Sequence, residues 1–428
     1  MCSNLFIIPS HLGGWQLFGF GLLFWLLLLA AGGWATWSLR RPSGKDEVFA
    51  AIPVLAIMAA AIVFMPHVFP EGFPVRGYGT MLIVAAVSGL ALAMRRARQA
   101  GLHPDIMISL AFWMFVCGIA GGRLFYVIEY WEAIYAKLPL HRAVIEAFKY
   151  ANGGLVVYGA LAGAALAFGV FMRRHRLPLL AMADLVAPSL VVGLAFGRIG
   201  CLLNGCCFGG VCDLPWAISF PKEHQTRYSP PYEAQLAHGE FFGLRLAENE
   251  GRLVVSSVDS HSFAAAEGLT VGDEVTQLGG EQVAHLRDVA PLVERALVEA
   301  RPLPVQTAAG LTITLPAQEL PERSLPVHPT QLYSAINAGL LALFLWSYYP
   351  ARRRDGEVFA LLITFYAIAR FLLEMIRIDE SSFLGTGLSI SQNISLVLLA
   401  VVAGLWIYLF RRPRERVFDP PMVVPQPA

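Results

Sequence analysis

The chain has 428 residues, of which 56% are hydrophobic and only 15% charged; an average soluble domain has about 45–50% and about 25%. With a formal net charge of +1, this composition excludes a disordered chain and a nucleic-acid binder and argues against an ordinary soluble enzyme. The apolar excess is gathered in long runs, so a bilayer is the solvent to expect.

Nine runs approach the roughly 20 apolar residues that a helix needs to cross the hydrocarbon core. They lie near Trp15–Trp34, Val48–Met65, Tyr78–Met94, Ile106–Ile128, Gly153–Met172, Ala181–Leu203, Leu332–Tyr349, Glu357–Ile376 and Leu388–Phe410. The first is not a cleavable signal peptide, because no basic segment precedes it and Arg40-Arg41 follow it. Basic clusters come after the odd-numbered runs, at Arg40–Lys45, Arg95–Arg98, Arg173–Arg176, Arg352–Arg354 and Arg411–Arg416. The positive-inside rule then puts the N-terminus outside and the C-terminus in the cytoplasm.

Between the sixth and seventh runs, from about Gly205 to Val327, the chain turns polar and rich in turns, and the alternation puts it on the outer face. Within it, Leu253–Val258 predicts a strand and 286–300 a helix, with further strands around Val305 and at Leu311–Leu315. Ala265-Ala266-Glu267-Gly268-Leu269-Thr270-Val271-Gly272-Asp273, followed by Gly279-Gly280, resembles a PDZ domain of the bacterial envelope-protease type. Phe241-Phe242-Gly243-Leu244 takes the place of that family's carboxylate-binding loop. Such domains bind an extended peptide at a sheet edge, so a peptide ligand is expected; a spacer that only packs on the membrane core is the plainer alternative. The fold class expected is an all-α polytopic membrane protein of about nine helices with a small α+β PDZ-like insert on the outer face. The divisions are two N-terminal helices (1–75), a membrane core in two parts (76–240 and 321–412), the insert (241–320) and a tail (413–428).

Charges inside membrane runs cost about 2.5–3.5 kcal/mol each on insertion scales and mark functional candidates. Arg198 lies in Gly197-Arg198-Ile199-Gly200, where flanking glycines permit close approach of a ligand. Arg370 and Glu374, four apart, share a helix face and also suit a plain ion pair. Arg123 follows Gly121-Gly122 near the end of the fourth run. An arginine fork suits phosphate oxygens, so several arginines near one leaflet point to a lipid phosphate. Gly159 and Gly163 read as a helix-packing face. Tyr78 and Tyr158 read as interfacial tyrosines, and His328, which opens the seventh run, is open to two readings, a helix-start residue or a proton carrier.

Six segments in order resemble prolipoprotein diacylglyceryl transferases: Gly121-Gly122-Arg123-Leu124-Phe125-Tyr126; Asn152-Gly153-Gly154 with Tyr158-Gly159; Ala183-Asp184-Leu185-Val186-Ala187-Pro188; Gly197-Arg198-Ile199-Gly200 with Asn204-Gly205; His328-Pro329-Thr330-Gln331-Leu332-Tyr333; and Tyr366 with Arg370 and Glu374. The resemblance implies transfer of a diacylglyceryl group from phosphatidylglycerol to the lipobox cysteine of a prolipoprotein signal peptide, with release of glycerol phosphate. It implies a bacterial inner-membrane location, membrane lipid as a partner, and no cofactor or metal. Carried over residue by residue, Arg198 and Arg370 bind and polarise the phosphate. Gly154, Asn204, Gly205 and Gly209 shape the site, and Tyr78, Tyr366 and Glu374 position the lipid and the second arginine.

The chain departs from the family at several places. Tyr158 stands where a His is usual, Cys201 where Asn is, Cys206 where an acidic residue is, and Ser334 where Glu is. A tyrosine with a pKa near 10 is a poor base, so His328 is the candidate base and Tyr158 a hydrogen-bond donor. A non-catalytic or altered-specificity paralogue that binds lipid or lipoprotein is the alternative reading. Intramembrane proteolysis lacks its His-Glu-x-x-His string. The cluster Cys201, Cys206, Cys207 and Cys212 is open to three readings: disulfides, packed thiols, or redox or metal chemistry.

Overall fold

The structure, a computed structural model, describes residues 4–41, 44–149, 153–224, 227–249, 251–377 and 387–418. In chain order its helices are α1 (Leu22–Ser38), α2 (Gly44–Val68), α3 (Gly77–Gln99), α4 (Asp105–Glu129), α5 (Leu140–Ala147), α6 (Val157–His175), α7 (Leu179–Asn204), α8 (Pro230–His238), α9 (Phe263–Ala266), α10 (Val289–Val298), α11 (Thr330–Tyr348), α12 (Glu357–Glu374) and α13 (Ile390–Arg411). The strands are β1 (Asn4–Pro9), β2 (His11–Leu12), β3 (Trp15–Gln16), β4 (Gly72–Arg76), β5 (Glu223–His224), β6 (Arg227–Tyr228), β7 (Leu244–Asn249), β8 (Arg252–Val258), β9 (Val275–Leu278), β10 (Glu281–Gln282), β11 (Leu303–Thr307) and β12 (Thr312–Leu315). The chain divides into two compact units. One holds Met1–Thr80, Leu203–Gly205 and Phe220–Arg323; the other holds Met81–Leu202, Cys206–Ser219 and Ser324–Ala428.

A helix covers each of the nine apolar runs. Among the described residues five helices, α2, α3, α4, α7 and α13, are long and apolar enough to cross a membrane. The first run begins its helix only at Leu22, because Trp15–Gln16 pairs with His11–Leu12 in a short hairpin instead.

The second unit is a helical bundle whose packing follows from its small and apolar residues. α4 and α6 approach so closely that a Cβ added at Gly121 would lie 2.4 Å from the Gly159 carbonyl oxygen, and one at Gly163 2.2 Å from that of Cys117. This is the small-residue packing expected between membrane helices. α7 is buried along Ala181–Ser189 and runs through Pro188. At its start the buried Asp184 carboxylate accepts from the Gly356 and Phe359 amides, at 2.7 and 2.8 Å, at the N-terminus of α12. Those amides have no partner inside α12, so Asp184 fixes α12 against α7. At the head of α13, Ser389 and Gln392 exchange side-chain to backbone bonds in a capping box.

In the first unit β1 pairs antiparallel with β4. The polar stretch forms a four-stranded sheet in the order β10-β9-β11-β12 and a separate β7–β8 hairpin. Leu278 pairs with Glu281 across Gly279-Gly280, both with positive φ, which is the two-residue hairpin that a Gly-Gly pair favours. Leu246, Leu253, Val255, Val275, Leu278, Val293 and Val305 form its buried interior.

Candidate functional site

Arg370 and Glu374 form an ion pair at 2.6 Å on one face of α12. Glu374 is 5% exposed. The second nitrogen of the Arg370 fork donates to Ser391 Oγ at 2.6 Å, and Ser391 Oγ lies 3.0 Å from Tyr158 Oη. Tyr158 at the head of α6 is therefore linked to Arg370 through the first turn of α13. Three residues past Glu374, Arg377 makes a longer pair with the same carboxylate oxygen, 3.8 Å. Tyr366 sits one turn before Arg370 on α12, half-buried. One carboxylate thus faces two guanidiniums.

Arg198, half-buried on α7, makes no hydrogen bond or ion pair among the described residues. Its charge and that of Arg377, at the end of α12, both favour the Cys207 thiolate. The Cys207 thiol is pushed down chiefly by hydrogen bonds from the Cys201 and Cys206 thiols, against the effect of burial, with the two arginines assisting.

The loop after α7 is stitched to the start of α11 and the end of α12. Thr330 Oγ1 donates to the Cys207 carbonyl at 2.6 Å and Gln331 Nε2 to that of Cys206 at 2.8 Å. The Gly209 amide donates to the His328 carbonyl, and the Gly210 amide to that of Ile376. A Cβ at Gly209 would lie 2.7 Å from His328 Cβ and 2.9 Å from Thr330 Cγ2, so only glycine fits. His328 Nδ1 is buried without a hydrogen-bond partner among the described residues. A buried unsatisfied nitrogen is rare enough to need a reason, and an absent ligand or proton donor is one.

Arg123 is placed differently from the lipid-phosphate ligand the sequence led us to expect. It is 6% exposed and donates to five backbone carbonyls: Ala147 through Nε (2.8 Å), Gly153 and Gly154 through Nη1 (2.7 and 3.1 Å), and Glu146 and Lys149 through Nη2 (2.7 and 3.1 Å). A guanidinium has five N–H donors, so this one holds the loop before α6. Gly154 there has φ +83°, and a Cβ would meet the Tyr126 ring at 2.6 Å. Asn152, in the same motif, lies outside the described residues. Tyr78, Asn204 and Gly205 belong to the first unit. Asn204 ends α7, the helix of Arg198, and Gly205 follows with φ +76°.

Ser391 and Arg377 were not singled out from the sequence. Ser391 was signalled by the polar run Ser389–Asn393 heading an apolar helix, and Arg377 by its place one turn after Glu374.

The described cysteines Cys117, Cys201, Cys206, Cys207 and Cys212 are free thiols. The sulfurs of Cys201, Cys206 and Cys207 lie within 4.8 Å of one another, the one group among the described residues with metal-ligand spacing. A cavity of about 630 Å³ is lined by Trp113, Phe171, Arg174 and neighbours on α4 and α6. Its Arg174 lies at the opposite end of α6 from Tyr158, roughly 24 Å away along the helix axis.

In the polar stretch α8 packs against α10 and β7. Tyr232 stacks on Tyr228 and lies 4.9 Å, centroid to centroid, from Phe241. Tyr228 Oη donates to Glu294 on α10 at 2.5 Å, which pushes the phenol up to about 12. His238 Nδ1 donates to the Leu246 carbonyl of β7 at 2.7 Å.

The family model for "Prolipoprotein diacylglyceryl transferase" matches residues 66–408. A phosphatidylglycerol–prolipoprotein diacylglyceryl transferase of Rhodopirellula baltica is 34% identical over 97% of this chain and 90% of its own length. A second transferase of that name, from Clostridium perfringens, is 23% identical over 81% of this chain and 94% of its own length. One from Corynebacterium glutamicum is 25% identical over 80% and 81%.

Proposed function

The chain belongs to the prolipoprotein diacylglyceryl transferase family, and from that premise we propose how its residues move a diacylglyceryl group from phosphatidylglycerol to a prolipoprotein cysteine. The observation that carries the reading is Arg198, a half-buried guanidinium that makes no hydrogen bond or ion pair among the described residues. Such a group attracts an anion.

In the reaction the lipobox thiolate attacks the terminal glycerol carbon of the diacylglyceryl group. A C–S bond forms, the C–O bond breaks, and glycerol phosphate leaves with the electron pair. Negative charge grows on the phosphate, and arginines already in place in a low-dielectric site stabilise it as it grows. Arg198 and Arg370 meet the phosphate, with Glu374 and Ser391 orienting Arg370 and Tyr366 contacting lipid beside it. Tyr158 donates a hydrogen bond toward Ser391. His328, with its Nδ1 unpartnered, accepts the thiol proton, since the thiolate is the nucleophile. Gly154 and Gly209 keep the backbone close, and Arg123 holds the Gly154 loop; the family resemblance assigns Tyr78, Asn204 and Gly205 to lipid binding. His328→Gln is expected to slow transfer by at least about 10²-fold, the usual contribution of a general base. Unchanged turnover would remove His328 from the mechanism.

We further place the protein in the bacterial inner membrane with nine spans, the N-terminus outside, the C-terminus in the cytoplasm, and the polar insert on the outer face. The insert reads as PDZ-like, supported by its Gly-Gly hairpin and by the loop Phe241–Gly243 leading into β7. α8 packs against both α10 and β7, and we read it as taking the place where such domains add a peptide strand.

The test is mass-resolved transfer. Purified protein in nanodiscs meets phosphatidylglycerol and a lipobox peptide, and a diacylglyceryl adduct on the cysteine is expected. Its persistence at full yield in Arg198→Ala would refute the arginine assignment. Its absence from folded wild-type protein would favour a binding paralogue.

A further inference from the structure

Three thiols beside the arginines have no part in the chemistry above. Cys201 lies in the last turn of α7, and Cys206 and Cys207 in the loop that follows. All three are partly buried, none is joined in a disulfide, and their sulfurs lie within 4.8 Å of one another. Adjacent cysteines ordinarily direct their side chains apart. Here Cys207 takes a left-handed backbone conformation, φ +61°, which a non-glycine residue adopts at a cost of roughly 1–2 kcal/mol. The carbonyl bonds from Thr330 and Gln331, and the Cys206 amide bond to the Cys201 carbonyl, hold the turn in that form.

We propose that Cys201, Cys206 and Cys207 form a trigonal site for a soft monovalent cation, copper(I). Soft thiolates select copper(I) or zinc over harder ions. Structural zinc takes four protein ligands, and three-ligand zinc sites are built mostly with His or carboxylate; among the described residues this group offers three thiols alone, a set that suits the softer ion. Copper(I) is content with three. Charge points the same way. Three thiols release three protons and bind one Cu⁺, leaving a complex of charge −2 that the guanidiniums of Arg198 and Arg377 offset. No oxidation or reduction is involved.

The test uses the full chain in detergent, reduced and kept anaerobic, titrated with copper(I) against a chromophoric copper(I) chelator. One copper per chain is expected, with three sulfur neighbours by X-ray absorption. Replacing a ligand by Ser in Cys201→Ser, Cys206→Ser or Cys207→Ser should weaken binding by about 100-fold or more, at least the loss seen for outer-shell changes. Cys117→Ser and Cys212→Ser should leave it unchanged. Should a ligand variant fail to fold, alkylation of the wild type decides: copper should protect three thiols and leave Cys117 and Cys212 reactive. Absence of stoichiometric copper, a two-sulfur shell, or a disulfide within the trio that persists in the isolated protein and blocks copper would each overturn the proposal.

Discussion

Two Gly-Arg pairs in the membrane unit look alike in sequence and end in opposite situations. Gly122-Arg123 leads to a guanidinium with every donor on a backbone carbonyl of residues 146–154. Gly197-Arg198 leads to one that makes no hydrogen bond or ion pair among the described residues and acts with Arg377 on a single sulfur. A saturated arginine builds a loop; an open one awaits a ligand. The difference separates scaffold from site more sharply than the presence of a charge in an apolar run.

Substitutions can break this comparison. The largest expected effect is that of Arg370→Ala, which removes the fork between Glu374 and Ser391. Transfer should fall by about 10²–10³, as for loss of a preorganised oxyanion donor, with thermal unfolding little changed because Arg377 still faces Glu374. Arg123→Ala should reverse the pattern. Leaving buried carbonyls unpaired costs about 1–3 kcal/mol, so a lower melting temperature should accompany, and account for, the lost activity. If Arg123→Ala instead kept its melting temperature and lost only lipid affinity, the contrast would collapse.

Tyr158→Phe sharpens the same contrast. It removes one neutral hydrogen bond to Ser391, about 0.5–1.5 kcal/mol, and a fall of no more than about ten-fold in transfer is expected. A loss near 10³-fold would make Tyr158 the base in place of His328.

The smallest effect belongs to the insert. Burial lowers the His238 imidazolium below its ordinary 6.5, although the Leu246 carbonyl opposes the shift. The unfolded chain then binds more protons than the folded one as pH falls below 6.5, so this contribution to stability is lost on acidification through that value toward the depressed one. Hydrogen exchange of the β7 amides in the full chain should quicken on lowering the pH through that window, after correction for intrinsic rates. His238→Gln should flatten the dependence.

The apolar runs were legible because a long apolar stretch leaves a composition mark, and a helix overlaps each of them. The Gly-Gly hairpin and the Gly159/Gly163 packing face were legible because glycine has few other reasons to stand there. The Arg370–Glu374 pair followed from helical spacing alone. Arg123 was misread because its partners are main-chain carbonyls, which every residue carries and no side chain announces. Ser391 was missed because a serine near a helix start is ordinary capping chemistry until a guanidinium is seen against it. The packing of α8 against α10 and β7 was also invisible, since it depends on tertiary packing of a short helix with no pattern of its own. Asp184 stood in a recognised motif, but its work, holding two amides at the head of α12 so that Arg370 is fixed, needed coordinates to read.

The central claim is that Arg198 and Arg370 stabilise charge growing on the leaving phosphate. Single-turnover transfer at saturating phosphatidylglycerol, wild type against Arg198→Ala, tests it most directly because it isolates the chemical step from lipid binding. The account predicts a chemical step slower by about 10²–10³-fold, the usual cost of losing one preorganised donor, with glycerol phosphate released in equal amount to the thioether formed. An unchanged single-turnover rate with only weaker lipid binding would contradict it.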